Sequence, residues 1–165
     1  MPLTAITTQT PDGEFHIIID DTGVARTSGF GTLEALIQRL PENLRDLPIE
    51  TTTSHKYITL VQAYYAGDKK ALDAIPRRQE GSPFQIKVWD AISTIDYGKT
   101  LSYKELANAS GNPAAIRPAG TICGLNRLIL LIPCHRVLKS DGSIGSYLYG
   151  PDLKQSLLQH EGAIS

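Results

Sequence analysis

Residues 82–107 read SPFQIKVWDAISTIDYGKTLSYKELA and contain two helix starts in succession. Ser82 followed by a proline suits the N-cap and first position of a helix. Apolar residues at helical spacing predict the buried face of this helix, which comprises Phe84, Val88, Ala91, Ile92 and Ile95. Ser102 with Glu105 three residues later is a capping box, so a second, short helix is predicted over 103–110.

On the C-terminal side, a Gly-Asn-Pro break at 111–113 precedes a third predicted helix at about 118–125. Two short helices joined by a tight turn are typical of a helix-turn-helix, although many helical hairpins share the pattern. The apolar run LILLI at 128–132 predicts a buried segment, which leads directly into PCHRV at 133–137. A terminal helix is predicted over 152–162 with its leucines facing inward.

On the N-terminal side, the pattern predicts a β-hairpin over 15–30 and helices over 32–40 and 57–66. Residues 68–82 are charged, contain proline and glycine and lack periodicity, which is typical of a domain boundary. We therefore predict a small N-terminal α/β domain with an antiparallel sheet over 1–80. A helical C-terminal domain is predicted over 81–165.

The composition indicates an ordinary globular protein, because 165 residues with 41% hydrophobic content suffice for a real core. No apolar run reaches membrane-spanning length and the first residues show no signal-peptide pattern, so a cytoplasmic location is expected. The two cysteines, Cys123 and Cys134, are too few for a disulfide framework of the secreted kind. Both are expected to be reduced thiols.

The charge is distributed unevenly along the chain. Residues 1–82 contain 8 Lys+Arg against 11 Asp+Glu, and residues 83–165 contain 8 against 6, which gives −3 and +2. This modest difference permits a DNA-facing C-terminal half but does not require one, because the clustering of charge matters more than its sum.

Cys134 is the strongest nucleophile candidate. It follows a proline and precedes His135 and Arg136, and a cation or imidazole close to a thiol favours the reactive thiolate. Neighbours in an extended segment point to opposite faces, so spacing alone leaves a buried structural cysteine equally open. Zinc binding has less support, because the sequence contains no CxxC or HxxxH pair.

The segment from Phe84 onward resembles the O6-alkylguanine-DNA alkyltransferases, also called methylated-DNA–protein-cysteine methyltransferases. The matching blocks follow the family's order and spacing: FQIKVWDAISTIDYGKTLSYKELA at 84–107, Arg-x-x-Gly at 117–120, Asn126, IPCHRV at 132–137, Gly-Ser-Tyr at 145–147 and LLQHEG at 157–162. Several ordered blocks are far more specific than any single motif. The resemblance covers essentially all of 83–163, whereas residues 1–82 match only loosely.

This resemblance implies DNA repair by irreversible transfer of an alkyl group from O6-alkylguanine, or from O4-alkylthymine, to Cys134. His135 would draw the thiol proton through a water, and Glu161 would orient and polarise His135. Asn126 would hold the turn that contains the site. Because the acceptor is consumed, each molecule would act once. No cofactor or metal is implied.

The resemblance also implies a duplex DNA partner whose damaged nucleotide is flipped out of the stack. The residues that would contact DNA are Tyr103, Ala115, Arg117, Gly120 and Arg136. The residues that would line the base pocket are Tyr103, Val137, Ser146, Tyr147 and Leu148. The implied fold is α/β, with a ribonuclease H-like N-terminal domain and a C-terminal domain containing a winged helix-turn-helix-like motif. A monomer is expected.

Departures from the family pattern lead to further expectations. Pro118 stands where alanine is usual, and a residue before proline is pushed out of the helical region, so Arg117 is expected to be an N-cap. Arg127 replaces the proline that usually follows the asparagine. Leu148 and Tyr149 stand where small residues are common, so we expect a narrower pocket that disfavours large adducts such as benzyl.

Two other functional classes stay open on the sequence alone. One is a non-enzymatic lesion-binding relative in which the reactive cysteine is replaced, and the presence of Cys134 opposes it. The other is a winged-helix DNA-binding module with an inert thiol. Intact-mass measurement after incubation with methylated DNA separates these classes, because only an alkyltransferase gains a methyl group.

Overall fold

The computed structural model describes residues 2–165 as a mixed α/β fold that divides into two compact units. The first unit comprises the described residues up to Gln79 together with Arg127–Leu131, and the second comprises Glu80–Asn126 and Ile132–Ser165. The predicted C-terminal domain over 81–165 included 127–131, whereas the structure groups these five residues with the first unit. Within the described range, no helix has the length and apolar composition needed to cross a bilayer.

The first unit is built on a four-stranded sheet in the order β3-β2-β1-β4. Its strands are β1 (Leu3–Thr10), β2 (Gly13–Ile19), β3 (Ala25–Phe30) and β4 (Ile49–Thr52). The pairs β1–β2 and β2–β3 are antiparallel, which confirms the predicted hairpin over 15–30. β4 pairs with β1 in parallel, so the predicted antiparallel sheet is corrected to a mixed one. A parallel pair needs a crossover connection, which the helical segment between β3 and β4 supplies.

Three helices complete the α/β layers of the first unit: α1 (Leu33–Ile37), α2 (Glu42–Arg45) and α3 (Lys56–Tyr65). The predicted helix over 32–40 is therefore shorter than expected. Leu36 and Leu40 nevertheless lie in one apolar cluster with residues of β1 and β2, as their spacing predicts. α3 ends before Gly67, whose φ of 103° suits glycine alone.

Arg127–Leu131 pairs with β3 inside the first unit. The Ser28 backbone N–H donates to the Arg127 carbonyl at 3.0 Å, and the Ser28 hydroxyl donates to the Ile129 carbonyl at 2.7 Å. The four apolar residues of this segment are at most 3% exposed, which confirms the predicted burial. Leu130 adopts a φ of 72°, a left-handed conformation that costs a non-glycine residue about 1–2 kcal/mol.

The second unit contains α4 (Pro83–Ser93), α5 (Tyr103–Ala109), α6 (Ile116–Gly124) and α7 (Pro151–His160). A short parallel pair joins β5 (Leu101–Ser102) to β6 (Val137–Leu138). Both predicted helix starts are confirmed, since Ser82 caps α4 and Ser102 forms a capping box with Glu105 at α5. Phe84 is only half-buried, contrary to prediction. Trp89 is buried instead, and its Nε1 donates to the Ile122 carbonyl at 3.1 Å.

The helix α6 begins two residues earlier than predicted. Its N-cap is Ala115, so Arg117 and Pro118 are its second and third residues. The expectation that Pro118 makes Arg117 an N-cap is therefore wrong. The first four N–H groups of a helix have no intrahelical acceptor, so a proline in the first turn removes no hydrogen bond from the ladder.

Candidate active site

Cys134 begins a 3₁₀ turn, Cys134–Arg136, shortly after the chain re-enters the second unit at Ile132. The Cys134 backbone N–H donates to the Ile132 carbonyl at 2.7 Å, and the Arg136 N–H donates to the Pro133 carbonyl at 2.9 Å. β6 follows directly and pairs with β5. These contacts fix the turn at both ends, and Cys134 is only 6% exposed within it.

Asn126 bonds the point where the chain leaves the second unit to the point where it returns, at Ile132. Its side-chain amide donates to the Ile132 carbonyl at 2.9 Å, and Asn126 is 1% exposed. Its own backbone N–H lies 3.3 Å from the Cys123 carbonyl at the end of α6. Asn126 therefore joins the end of α6 to the segment that leads into Cys134, which is the turn-holding position predicted for it.

His135, Arg136 and Glu161 form one buried network. The His135 Nε2 lies 2.9 Å from a Glu161 carboxylate oxygen, and both side chains are 0% exposed. The Arg136 guanidinium donates to both oxygens of Glu161, through Nε at 2.8 Å and Nη2 at 3.0 Å. Its Nη1 donates to the Ile95 carbonyl at 2.7 Å. The structure thus brings together His135 and Glu161, the predicted base and its orienting carboxylate.

The environment of this network sets its protonation. Burial lowers the pKa of His135 below its ordinary value and outweighs the opposing hydrogen bond and charge of Glu161. Burial alone would raise the pKa of Glu161, but hydrogen bonds from His135 and Arg136 outweigh burial and lower that pKa strongly. At neutral pH the pair is therefore a neutral imidazole beside a carboxylate.

This protonation state fixes the tautomer of His135. A carboxylate can only accept hydrogen bonds, so the imidazole proton lies on Nε2 and Nδ1 keeps its lone pair. Nδ1 is buried and has no hydrogen-bond partner among the described residues. Nδ1 of His135 can therefore accept a proton, because none of the described side chains donates a hydrogen bond to it.

Lys154 is a buried cation near Cys134 that sequence reasoning missed. It is 1% exposed, and its ammonium donates to the Val137 carbonyl at 2.7 Å and to the Ser146 carbonyl at 3.2 Å. Burial lowers the pKa of Lys154, whereas the nearby thiols of Cys123 and Cys134 act to raise it. A cation that interacts electrostatically with a thiol favours formation of the thiolate. The signal was present in the spacing, because position 154 shares a helical face with the buried leucines at 157 and 158.

Four of the predicted contact residues line a single cleft in the second unit. The cleft measures about 730 Å³ and is lined by Tyr103, Ile116, Arg117, Gly120, Thr121, Gly124, Lys139 and Ser146. Its two charged lining residues are cations. The cleft therefore offers a positively charged, partly apolar surface along α6.

Tyr103 connects the two sides of this cleft. Its ring packs over α6, where a Cβ placed at Gly120 would lie 3.3 Å from the Tyr103 ring. Burial raises the pKa of Tyr103, and a hydrogen bond with Ser146 opposes that shift. Gly120 thus allows the close approach of α5 and α6, and the tyrosine hydroxyl reaches the loop before α7.

The remaining predicted residues occupy different environments. Val137 is fully buried at the start of β6, whereas Leu148 is 47% exposed. The Tyr147 ring lies 6.0 Å from that of Tyr149. Ala115 is buried at the N-cap of α6. The Arg136 guanidinium is directed to Glu161 and Ile95 and is 12% exposed, a placement that favours a role within the protein over the predicted DNA contact.

Residues 83–163 match the family model described as 6-O-methylguanine DNA methyltransferase, DNA binding domain. A methylated-DNA–protein-cysteine methyltransferase of Methanosarcina acetivorans is 40% identical over 103 residues, covering 62% of this chain and 65% of that protein. The bifunctional transcriptional activator/DNA repair enzyme Ada of Escherichia coli is 44% identical over 87 residues, covering 53% and 25%. The chain thus spans less than two thirds of the length of each of these relatives.

Solved structures resemble the chain over nearly its whole length. The Mycobacterium tuberculosis O6-methylguanine methyltransferase superposes with a TM-score of 0.77 at 27% identity, covering 99% of this chain and 94% of that one. A structure of Mycobacterium tuberculosis OGT in complex with DNA gives a TM-score of 0.78 at 27% identity, covering 97% and 93%.

Proposed function

We propose that this chain, whose residues 83–163 match the 6-O-methylguanine DNA methyltransferase family, repairs DNA by moving an alkyl group from O6 of guanine onto its own Cys134. One observation supports the chemistry above all. The neutral His135, held through Nε2 by Glu161, keeps a lone pair on Nδ1 and shares one buried 3₁₀ turn with Cys134. A base held by a third group next to a nucleophile is the arrangement that activates a thiol.

The proposed reaction is a displacement at the alkyl carbon. His135 Nδ1 takes the Cys134 proton through a water, and the buried Lys154 ammonium stabilises the thiolate. The sulfur then forms a bond to the alkyl carbon while the carbon–O6 bond breaks and its electron pair returns to the guanine, which takes up a proton to replace the one lost from Cys134. Glu161 stabilises the imidazolium that forms, as the carboxylate of a catalytic triad does. The thioether product does not reverse, so each molecule reacts once.

DNA recognition is proposed to use the cleft along α6. O6 of a stacked guanine faces the major groove and cannot reach a buried thiol, so the nucleotide must flip out at a cost of a few kcal/mol. Tyr103 would promote rotation of the nucleotide and Arg117 would fill the vacated stack, with Ala115 and Gly120 against the backbone. A helix lying in the minor groove suits a sequence-tolerant protein. The base pocket would be lined by Val137, Ser146, Tyr147 and Leu148.

Arg136 is assigned a different part in this proposal. Because its guanidinium donates to both oxygens of Glu161, we assign Arg136 to holding the carboxylate in place, not to contacting DNA. Finer features of the fold also belong to the proposal: a ribonuclease H-like first unit, a winged helix-turn-helix-like second unit built on α5 and α6, and a monomer. The cytoplasmic location and the boundary near residue 80 stay predictions.

The decisive experiment is intact-mass measurement after incubation with duplex DNA that contains one O6-methylguanine. The protein is expected to gain the mass of one methyl group in place of one proton, on Cys134 and without turnover. The variant Cys134→Ser is the matched control and should stay unmodified while still binding DNA. An unmodified parent protein that binds the lesion tightly would instead indicate a lesion-binding module.

Adduct size supplies a second test. The exposed Leu148 and the neighbouring Tyr149 are bulkier than the small residues usual at these positions, so they should narrow the pocket mouth. We expect O6-benzylguanine to label Cys134 at least about tenfold more slowly than a methylated oligonucleotide does, an effect of the size that pocket shape produces. The double variant Leu148→Gly, Tyr149→Ser should recover most of the difference. Equal labelling rates in the parent would contradict the narrow pocket.

A further inference from the structure

The proposed reaction leaves a second buried thiol unused. Cys123 lies on α6 and is 6% exposed, as is Cys134, and neither cysteine is in a disulfide. The Cys123 sulfur lies 3.8 Å from the carbonyl oxygen of Cys134. A hydrogen bond to the Cys134 side chain, together with burial, raises the pKa of Cys123 well above its ordinary value. The two buried thiols are therefore neighbours, joined by hydrogen bonds from Cys123 to the Cys134 residue.

We propose that Cys123 is a resolving thiol, which captures oxidised Cys134 as an internal disulfide and keeps the acceptor sulfur recoverable. The value of that protection rests on the proposed function, because a protein that reacts once has no second acceptor. The redox chemistry itself depends only on the two sulfurs and on an added hydroperoxide. A dithiol reductant restores both thiols.

The first step consumes one hydroperoxide. The Cys134 thiolate attacks one peroxide oxygen, the O–O bond breaks, and the hydroxide that leaves from hydrogen peroxide takes up the proton that the thiol released, which gives one water. Cys134 becomes a sulfenic acid. The buried ammonium of Lys154, which interacts with both thiols, favours the thiolate that this step needs.

The second step closes the disulfide. The Cys123 sulfur attacks the Cys134 sulfur, the S–O bond breaks, and the hydroxide leaves as a second water with the Cys123 proton. In the reduced protein, the hydrogen bond to Cys134 and the charge on that sulfur both hold Cys123 protonated. The charge on the Cys134 sulfur is lost once it is a neutral sulfenic acid, whereas the Lys154 ammonium still acts to lower the pKa of Cys123.

The test is oxidation of the full chain with hydrogen peroxide, followed by quenching with N-ethylmaleimide and intact-mass measurement without reductant. The parent should lose the mass of two hydrogens, take up no maleimide, and regain both thiols with dithiothreitol. In Cys123→Ser, Cys134 should become dimedone-reactive and then pass to sulfinic acid at least about tenfold faster than in the parent. Cys123→Ala should behave like Cys123→Ser if both variants remain folded.

The inference is overturned if the parent reaches sulfinic acid as fast as Cys123→Ser, or if its disulfides form only between molecules. Alkyl transfer is measured separately on reduced protein, where Cys123→Ser should retain the parent rate. A parent that forms the internal disulfide but accepts no methyl group would refute the proposed function alone. A parent that accepts methyl but forms no internal disulfide would refute this inference alone.

Discussion

Glu161 accepts hydrogen bonds from two side chains, His135 and Arg136, and both bonds lower the pKa of the Glu161 carboxyl. Ordered motif blocks in the sequence were enough to single out Cys134, His135 and Glu161. They could not show that Arg136 shares the same carboxylate, because the resemblance assigned this arginine to DNA and a sequence does not show which carboxylate a guanidinium pairs with. The buried Lys154 was missed for a related reason, since a lysine on an amphipathic helix usually faces solvent.

The protonation of the buried pair makes stability depend on pH. The ordinary pKa of histidine is 6.5 and that of glutamate 4.5, and the folded values for His135 and Glu161 both lie lower. Below each ordinary value the unfolded chain binds a proton that the native protein does not, so stability is complete above about pH 6.5 and falls on acidification. His135 contributes first, and Glu161 follows below about pH 4.5.

Urea-unfolding midpoints measured between pH 8 and pH 5 test this dependence. The parent midpoint should decrease on acidification, and His135→Gln should remove much of the decrease. Burial also lowers the pKa of His55, which is half-buried, so His55→Gln is the matched control and should remove less. A parent midpoint that does not change over this range would contradict the assignment of a neutral, buried His135.

At the scale of elements, the approach of α5 to α6 depends on which glycine faces the tyrosine. A Cβ at Gly120 would lie 3.3 Å from the Tyr103 ring, whereas a Cβ at Gly124 would have no heavy atom within 4 Å. Both glycines lie on α6. The sequence predicted these two helices from the Ser102 capping box and the break at 111–113. The predicted start of α6 is two residues too late. A proline disfavours helical geometry at the residue before it, but Pro118 fits within the first turn of α6.

Alanine substitution at the two glycines should separate helix propensity from packing. Gly124→Ala should stabilise the protein by about 0.5–1 kcal/mol, the usual gain on replacing a helical glycine. Gly120→Ala should gain less or lose stability, because the new methyl group must displace the Tyr103 ring. Urea denaturation measures both free energies. Equal gains in the free energy of unfolding would mean that the Tyr103 ring moves without cost and does not fix the spacing of α5 and α6.

At the scale of the whole molecule, the first unit is completed by residues from far along the chain. The run LILLI predicts burial, but a continuous apolar segment does not reveal which core receives it, and here it pairs with β3. β1 and β4 were not predicted for a similar reason. Their threonine-rich strands have a weak alternating pattern, and the parallel partner of β1 lies about forty residues away along the chain.

This topology predicts that the chain cannot be cut near residue 80 into two stable parts. A fragment comprising 80–165 should expose the apolar residues Leu128–Leu131, bind a hydrophobic dye such as ANS and unfold at a lower urea concentration than the parent. Replacing Leu128 and Leu130 with serine in that fragment should reduce dye binding. A fragment as stable as the full chain, with no dye binding, would show that Arg127–Leu131 has another fold partner.

The pairing of Arg127–Leu131 with β3 also holds the chain just before it enters the segment that leads to Cys134. If β3 unfolds, Arg127–Leu131 loses its hydrogen bonds to Ser28, whereas the hydrogen bond from Asn126 to the Ile132 carbonyl remains. On heating, the reactivity of Cys134 should therefore fall before the helices of the second unit unfold, so that the proposed alkyl transfer slows while the helical circular dichroism signal is unchanged.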